Sequence, residues 1–157
     1  MPNNEHILVV EDEQHLATGI KYNLVAEGYR VTTVGDGPSA LRILQEKPIL
    51  LSIKQRGQRL MDGLREIFEE NNYPVVMSGY PAMFSFAMEI EKVTCQRDWN
   101  ESNHALYLQL AEMAMERGIM PDHDAREPWF LCYEHSDADI DETLNVYADI
   151  VKQVKRH

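Results

Sequence analysis

The chain has 157 residues, 44% of them hydrophobic and 26% charged, with a formal net charge of -11. That composition suits one compact globular domain or two small ones, and the acidic balance argues against nucleic acid and against an anionic membrane surface, both of which need clustered Lys and Arg. No apolar run approaches the roughly 20 residues that span a bilayer, MPNNEHILVV has no signal-peptide pattern, and Cys95 and Cys132 lack metal-type spacing, so the expectation is a cytoplasmic protein with reduced thiols.

In chain order, residues 7–10 (ILVV) form a continuous apolar run, as a parallel strand buried on both faces would. Residues 14–27 predict a helix, with Leu16, Ile20 and Leu24 at helical spacing and Gly28 as its left-handed stop. RVTTV at 30–34 is β-branched and predicts a second strand. Gly35-Asp36-Gly37 is a turn, Pro38 suits the first helical position, and Ala40, Leu41 and Leu44 give the next helix its inner face before Pro48 ends it. The start of the chain therefore reads β-α-β-α, a right-handed parallel unit.

The rhythm changes at about residue 50. Ile53, Leu60, Leu64, Ile67 and Phe68 predict a long amphipathic helix to about 71, although residues 49–53 also fit a strand. PVVMSG and AMFSFAME are β-like runs joined through Gly79-Tyr80-Pro81, which suggests an antiparallel pair. Residues 91–100 read as a polar loop. A helix follows over about 101–117, with Leu106, Leu110, Met113 and Ala114 inward and Gly118 as its stop; GIMP suggests a short strand and WFLCYEH a buried one. Ser136 is placed to cap a last helix whose apolar stripe is Ile140, Leu144, Tyr147, Ala148 and Val151, with Asp137 and Asp139 at its positive end. The methionines from Met113 to Met120 read as core filling.

The first chemical feature is Glu11-Asp12-Glu13, directly after ILVV. Carboxylates at the C-terminal end of a parallel strand stand where open α/β sheets place ligands, and an adjacent pair suits Mg²⁺. The plainer reading is a polar strand exit with one residue capping the next helix. HILVVEDEQHLATGIKYNLVAEGYRVTTVGDGPSALRIL resembles the first half of a response-regulator receiver domain, with Glu11 and Asp12 at that family's acidic pair. The resemblance covers residues 6 to about 48 and implies a flavodoxin-like β-α-β-α half. It also implies a phosphoacceptor Asp at the end of a third strand. This chain reads KPILLSIK there, with Lys54 at about the acceptor's position. An ammonium cannot accept a phosphoryl group as a carboxylate does, so phosphorylation is not expected and a metal at Glu11 and Asp12 would be vestigial.

Residues from about 53 to 157 resemble the small C-terminal domain of class III pyridoxal-phosphate aminotransferases, the group that includes glutamate-1-semialdehyde aminomutase. The carriers are RGQRLMDGLREIF, SGYPAMFSFAM, LYLQLAEMAMERGIMP and EPWFLCYEHSDADIDETLNVYADIV. The family's Schiff-base Lys, its Asp partner to the pyridine nitrogen and most phosphate contacts belong to a large domain with no counterpart here, so no catalytic residue and no pyridoxal phosphate is expected. Glu127 matches a substrate-facing residue of some members, but its plainer reading is a solvated loop acid. Asp122, His123, Asp124 and His135 lie near one another, and a polar loop is the simpler account than a metal site. Cys, Ser and His show no nucleophile signature.

The combined expectation is an α/β protein made of a receiver-like fragment (1–48) and an α+β aminotransferase-small-domain-like fragment (49–157). They would pack as a single domain with one mixed sheet and flanking helices; two loosely packed subdomains are the runner-up. Both resemblances are cut through their functional sites, which points to an engineered or recombined fold chimera that is not an enzyme. The competing classes are a receiver-like Mg²⁺-binding signalling module and a pyridoxal-phosphate-binding aminotransferase remnant. Apolar surface left uncovered would favour a homodimer.

Overall fold

Residues 5–46 and 48–154 are described by a computed structural model, in which the chain divides into two units, Met1–Leu50 and Leu51–His157. In the first, β1 (His6–Val10) lies parallel to β2 (Arg30–Val34), with Ile7 opposite Val31 and Val9 opposite Thr33. The crossover is α1 (Gln14–Ala26), and α2 (Gly37–Glu46) follows β2. Gly28, at φ 92, closes α1: its N–H donates to Val25 O at 3.0 Å and that of Tyr29 to Leu24 O at 3.1 Å. This is the paired bonding of a left-handed helix stop, which a residue without Cβ adopts at least cost. Asp36 caps α2, its Oδ1 accepting from Ser39 N–H at 2.7 Å.

The β-α-β-α order is as expected, but burial is thinner than ILVV suggests. Ile7, Leu8 and Val9 are only half-buried and Val10 is exposed. Leu16, Val25 and Leu41 are also exposed, and among the described residues of this unit only Ala17 and Ala40 are fully buried. Residues 49–53 add no strand to this sheet. They are helical and begin α3 (Ile49–Glu70). Ile49, Ile53, Gly57, Leu60, Leu64 and Phe68 recur in one helical register, with no turn residue to separate a strand from the helix. The expected single mixed sheet is therefore corrected: among the described residues there are two sheets, β1-β2 and a separate one of three strands.

That second sheet is antiparallel. The strands β3 (Val75–Tyr80) and β4 (Met83–Met88) form the anticipated hairpin, with Tyr80 opposite Met83, and β5 (Trp129–Phe130) pairs with the start of β4. The other elements are α4 (Gln96–Asn100), α5 (His104–Met115) and α6 (Asp137–Ile150). Two expectations change here. The polar stretch 91–100 contains α4, because Trp99 is buried in the core and needs a rigid turn to carry it there. WFLCYEH pairs over Trp129–Phe130 alone, and GIMP forms no strand.

A continuous core fills the second unit. Leu60, Leu64 and Phe68 from α3 meet Phe84, Phe86 and Met88 from β4, Leu110 and Ala114 from α5, and Ile140, Tyr147 and Ile150 from α6. Phe86 is the hub of its rings, with centroids 5.4 Å from Phe68, 5.3 Å from Tyr107 and 5.5 Å from Trp129. Tilted and edge-on ring pairs of this kind add to what burial contributes. Ion pairs from Arg56 to Asp137 (3.4 Å) and from Arg59 to Asp141 join α3 to α6 along the exposed rim. Met113 packs on the core as expected, but Met120 is 88% exposed and fills nothing.

Candidate functional site

In the first unit, the acidic residues stand at the exit of β1. Glu11 continues the ladder, its N–H donating to Val34 O at 3.0 Å, and its carboxylate turns back to accept from Glu13 N–H at 3.0 Å. One lone-pair set of Glu11 is thus used to close the turn into α1, while Asp12 is exposed. Glu13 holds the cap position of α1 without a side-chain bond. The side chain that shapes the turn is therefore Glu11, two residues earlier. Lys54, at the position where the receiver resemblance calls for a phosphoacceptor, is exposed on α3 and not at a strand end. Among the described residues no group of three or more His, Cys, Asp or Glu could hold a metal ion.

In the second unit, chemistry-bearing side chains gather in the loop between α5 and α6. A buried relay anchors it. Trp129 Nε1–H donates to Tyr107 Oη at 3.1 Å, and the Tyr107 hydroxyl donates to Asp122 O at 2.9 Å. Burial raises the Tyr107 pKa, so the phenol stays a donor. Asp124 is gripped by the Arg126 guanidinium, whose hydrogen bonds hold its carboxyl well below the usual carboxylate range. His123 lies 3.7 Å from Glu112 instead of joining Asp122 and Asp124. His135 turns to Cys132. Of the four residues read as a loose cluster in sequence, Asp122 and Asp124 stay linked, Asp122 Oδ1 accepting from Asp124 N–H at 2.8 Å, while His123 and His135 turn to other partners. Glu127 is exposed, with its N–H bonded to Asp124 O at 3.0 Å.

Two concave regions flank this loop. One, of about 340 Å³, lies between Trp99, His104, Leu108, His123 and Arg126. The other, of about 550 Å³, is lined by Pro121, Trp129, Phe130, Leu131, His135 and Asp139 among others. The described lysines of this unit, Lys54, Lys92 and Lys152, are all exposed, and none lines either of these two regions.

Sequence reasoning missed the pairing of Cys132 with His135. Cys132 Sγ lies 3.2 Å from His135 Nδ1, and Cys132 N–H donates to the same nitrogen at 3.0 Å. The available signal was the spacing Cys-x-x-His just before the Ser136 cap. If WFLCYEH were all strand, those side chains would point to opposite faces. Because the strand stops at Phe130, residues 132–135 turn, with His135 N–H bonded to Cys132 O at 3.3 Å.

No family model matches the chain. It is 29% identical over 118 residues to a glutamate-1-semialdehyde 2,1-aminomutase of Desulfitobacterium hafniense, covering 75% of this chain and 27% of that one. It is also 35% identical over 74 residues to the sensory transduction protein RegX3 of Mycolicibacterium smegmatis, covering 45% of this chain and 32% of that one. Those two shares together exceed the whole chain, so the two matched stretches overlap. Among solved structures, the PLP internal aldimine form of the Sphingopyxis sp. MTA144 FumI protein superposes with a TM-score of 0.58 at 18% identity, over 72% of this chain and 24% of that one. The chain thus spans about a quarter to a third of the length of the proteins it matches. It is an α/β protein, similar in sequence to part of an aminomutase and in fold to part of a pyridoxal-phosphate protein.

Proposed function

We propose that this chain is a recombined or engineered chimera without an intact catalytic site, a receiver-like fragment followed by an aminotransferase-small-domain-like fragment. One observation carries the reading: position 54 holds an exposed Lys on a helix, where a receiver needs an Asp at a strand end. The 29% identity over 118 residues to an aminomutase supports the second fragment of it. The expected result is no phosphoprotein by intact mass after incubation with acetyl phosphate and Mg²⁺, and no absorbance band after incubation with pyridoxal phosphate that is lost on replacing a single Lys. A stable phosphoprotein, or such a band, would overturn the reading.

The alternative reading is a receiver-like Mg²⁺-binding module. It is favoured by Glu11 and Asp12 at the exit of β1, with Mg²⁺ keeping several waters. Because Glu11 already closes the turn through Glu13 N–H, that binding would be weak. A reducing cytoplasmic setting fits the two exposed free cysteines. Among the described residues no helix is long and apolar enough to cross a membrane.

A further inference from the structure

We infer that the groove of about 550 Å³ along β5 is a docking site for an extended, arginine-bearing segment of a partner protein. Its walls are apolar. Met120 and Phe130, 88% and 65% exposed, stand there with Pro128 and the half-buried Leu131. Exposed apolar surface with a polar rim marks an interaction site. The rim carries charge of one sign. Asp122, Asp139 and Glu142 line the groove and no Lys or Arg does, while His135 is bonded within its own turn. The cations nearby are engaged elsewhere: Asp137 and Asp141 of α6 meet Arg56 and Arg59 of α3. Asp122, Asp139 and Glu142 have no ion pair among the described residues.

The sheet also leaves an edge there. Leu131 N–H donates to Ala82 O at 3.0 Å, and Phe130 lies opposite Met83. Bonded and non-bonded pairs alternate along an antiparallel ladder, so the Phe130 N–H and C=O face away from β4, on the outer side of β5. Among the described residues β5 has no second neighbour in the sheet. An extended peptide satisfies such an edge with its main chain and presents alternate side chains to two sides. Apolar side chains then meet Met120 and Phe130, and guanidinium groups meet Asp122 and Glu142, since the planar fork of Arg matches a carboxylate. A second copy of this chain, with its net charge of -11, would bring acid to acid.

The probe is a fluorescein-labelled peptide of alternating Leu and Arg, followed by fluorescence anisotropy at low salt beside a Leu-Glu and a Gly-Arg peptide of equal length. Only the Leu-Arg peptide should bind saturably. Asp122→Asn with Glu142→Gln should weaken it about fivefold, the scale of two exposed ion pairs, and Met120→Ser should weaken it as well. All three positions are exposed, so the fold is spared. Glu66→Gln with Glu69→Gln removes the same charge from exposed positions of α3 outside the groove, and should leave binding within about twofold because distant charges are screened. Equal loss from the two double variants, or equal binding of the Gly-Arg peptide, would reduce the interaction to net charge and overturn the proposal. Equal binding of the Leu-Glu peptide, or no binding of the Leu-Arg peptide, would overturn it too. A dimer of this chain that Met120→Ser dissociates would give the groove to a second copy and overturn it likewise.

Discussion

Gly57 shows how much a single residue decides in the second unit. A Cβ built there would stand 1.9 Å from the Pro81 carbonyl oxygen, which is backbone at the hairpin turn and cannot rotate away. The helix α3 can approach the β3–β4 turn only because position 57 carries no side chain. Gly57→Ala should therefore destabilise the protein by about 1–3 kcal/mol, the usual cost of overpacking, read as a lower urea midpoint with an unchanged slope. A neutral or stabilising result would mean that the turn sits farther from α3. The glycine is visible in the sequence, but nothing beside it marks its use. Its use depends on Pro81, 24 positions along the chain, and no local pattern announces such a partner. Cys132 and His135 carry the same lesson at short range, since a spacing of three brings them together only once the strand has ended.

Helix α6 is the element where sequence and structure agree most closely. Ser136 accepts from Asp139 N–H at 3.3 Å while the Asp139 carboxylate accepts from Ser136 N–H at 2.6 Å, completing the reciprocal cap. Of its apolar stripe, Ile140, Tyr147 and Val151 are fully buried, and Leu144 and Ala148 are half-buried. The Ser136 amide, and then its hydroxyl, lower the Asp139 pKa. A carboxyl whose folded pKa is depressed contributes stability above its unfolded value, near about pH 4, and loses it as the pH falls through the folded value. Ser136→Ala should thus lower the thermal midpoint at pH 7, and the gap to the unaltered chain should shrink as the pH falls below about 4. A gap that stayed constant down to pH 2 would remove Asp139 from the account. This element was legible because caps and stripes are local: each partner lies within one or two turns of the next.

At the scale of the molecule, the two units differ in how much each buries. The second holds a continuous core with Leu64, Phe68, Phe84, Met88 and Ile150 fully enclosed. The first encloses only Ala17 and Ala40 among its described residues and leaves Val10, Leu16, Val25 and Leu41 in solvent. Local opening free energies follow buried apolar contact, so amides of β1 and β2 should exchange with deuterium before those of β4 and α5. Equal protection in both regions would contradict this difference in burial. The uncovered apolar side chains are also where we propose that a homodimer would form. A sedimentation experiment giving a monomer at high concentration would remove that proposal.

What the sequence determined by itself was the local grammar. It marked the two parallel strands and their crossover, the long third helix, the hairpin, the caps, and the Lys at position 54 where a phosphoacceptor would be needed. These depend on periodicity, turn chemistry and residue identity, all of which act within a few positions. The tertiary structure alone decided that residues 49–53 are helix and that two separate sheets replace one mixed sheet among the described residues. It also shortened the strand after Pro128 to Trp129–Phe130 and brought Cys132 to His135. The reason is physical: a short apolar run satisfies its backbone equally well as strand or helix. Which one it becomes depends on the neighbours that bury its side chains, and those lie far away in the chain.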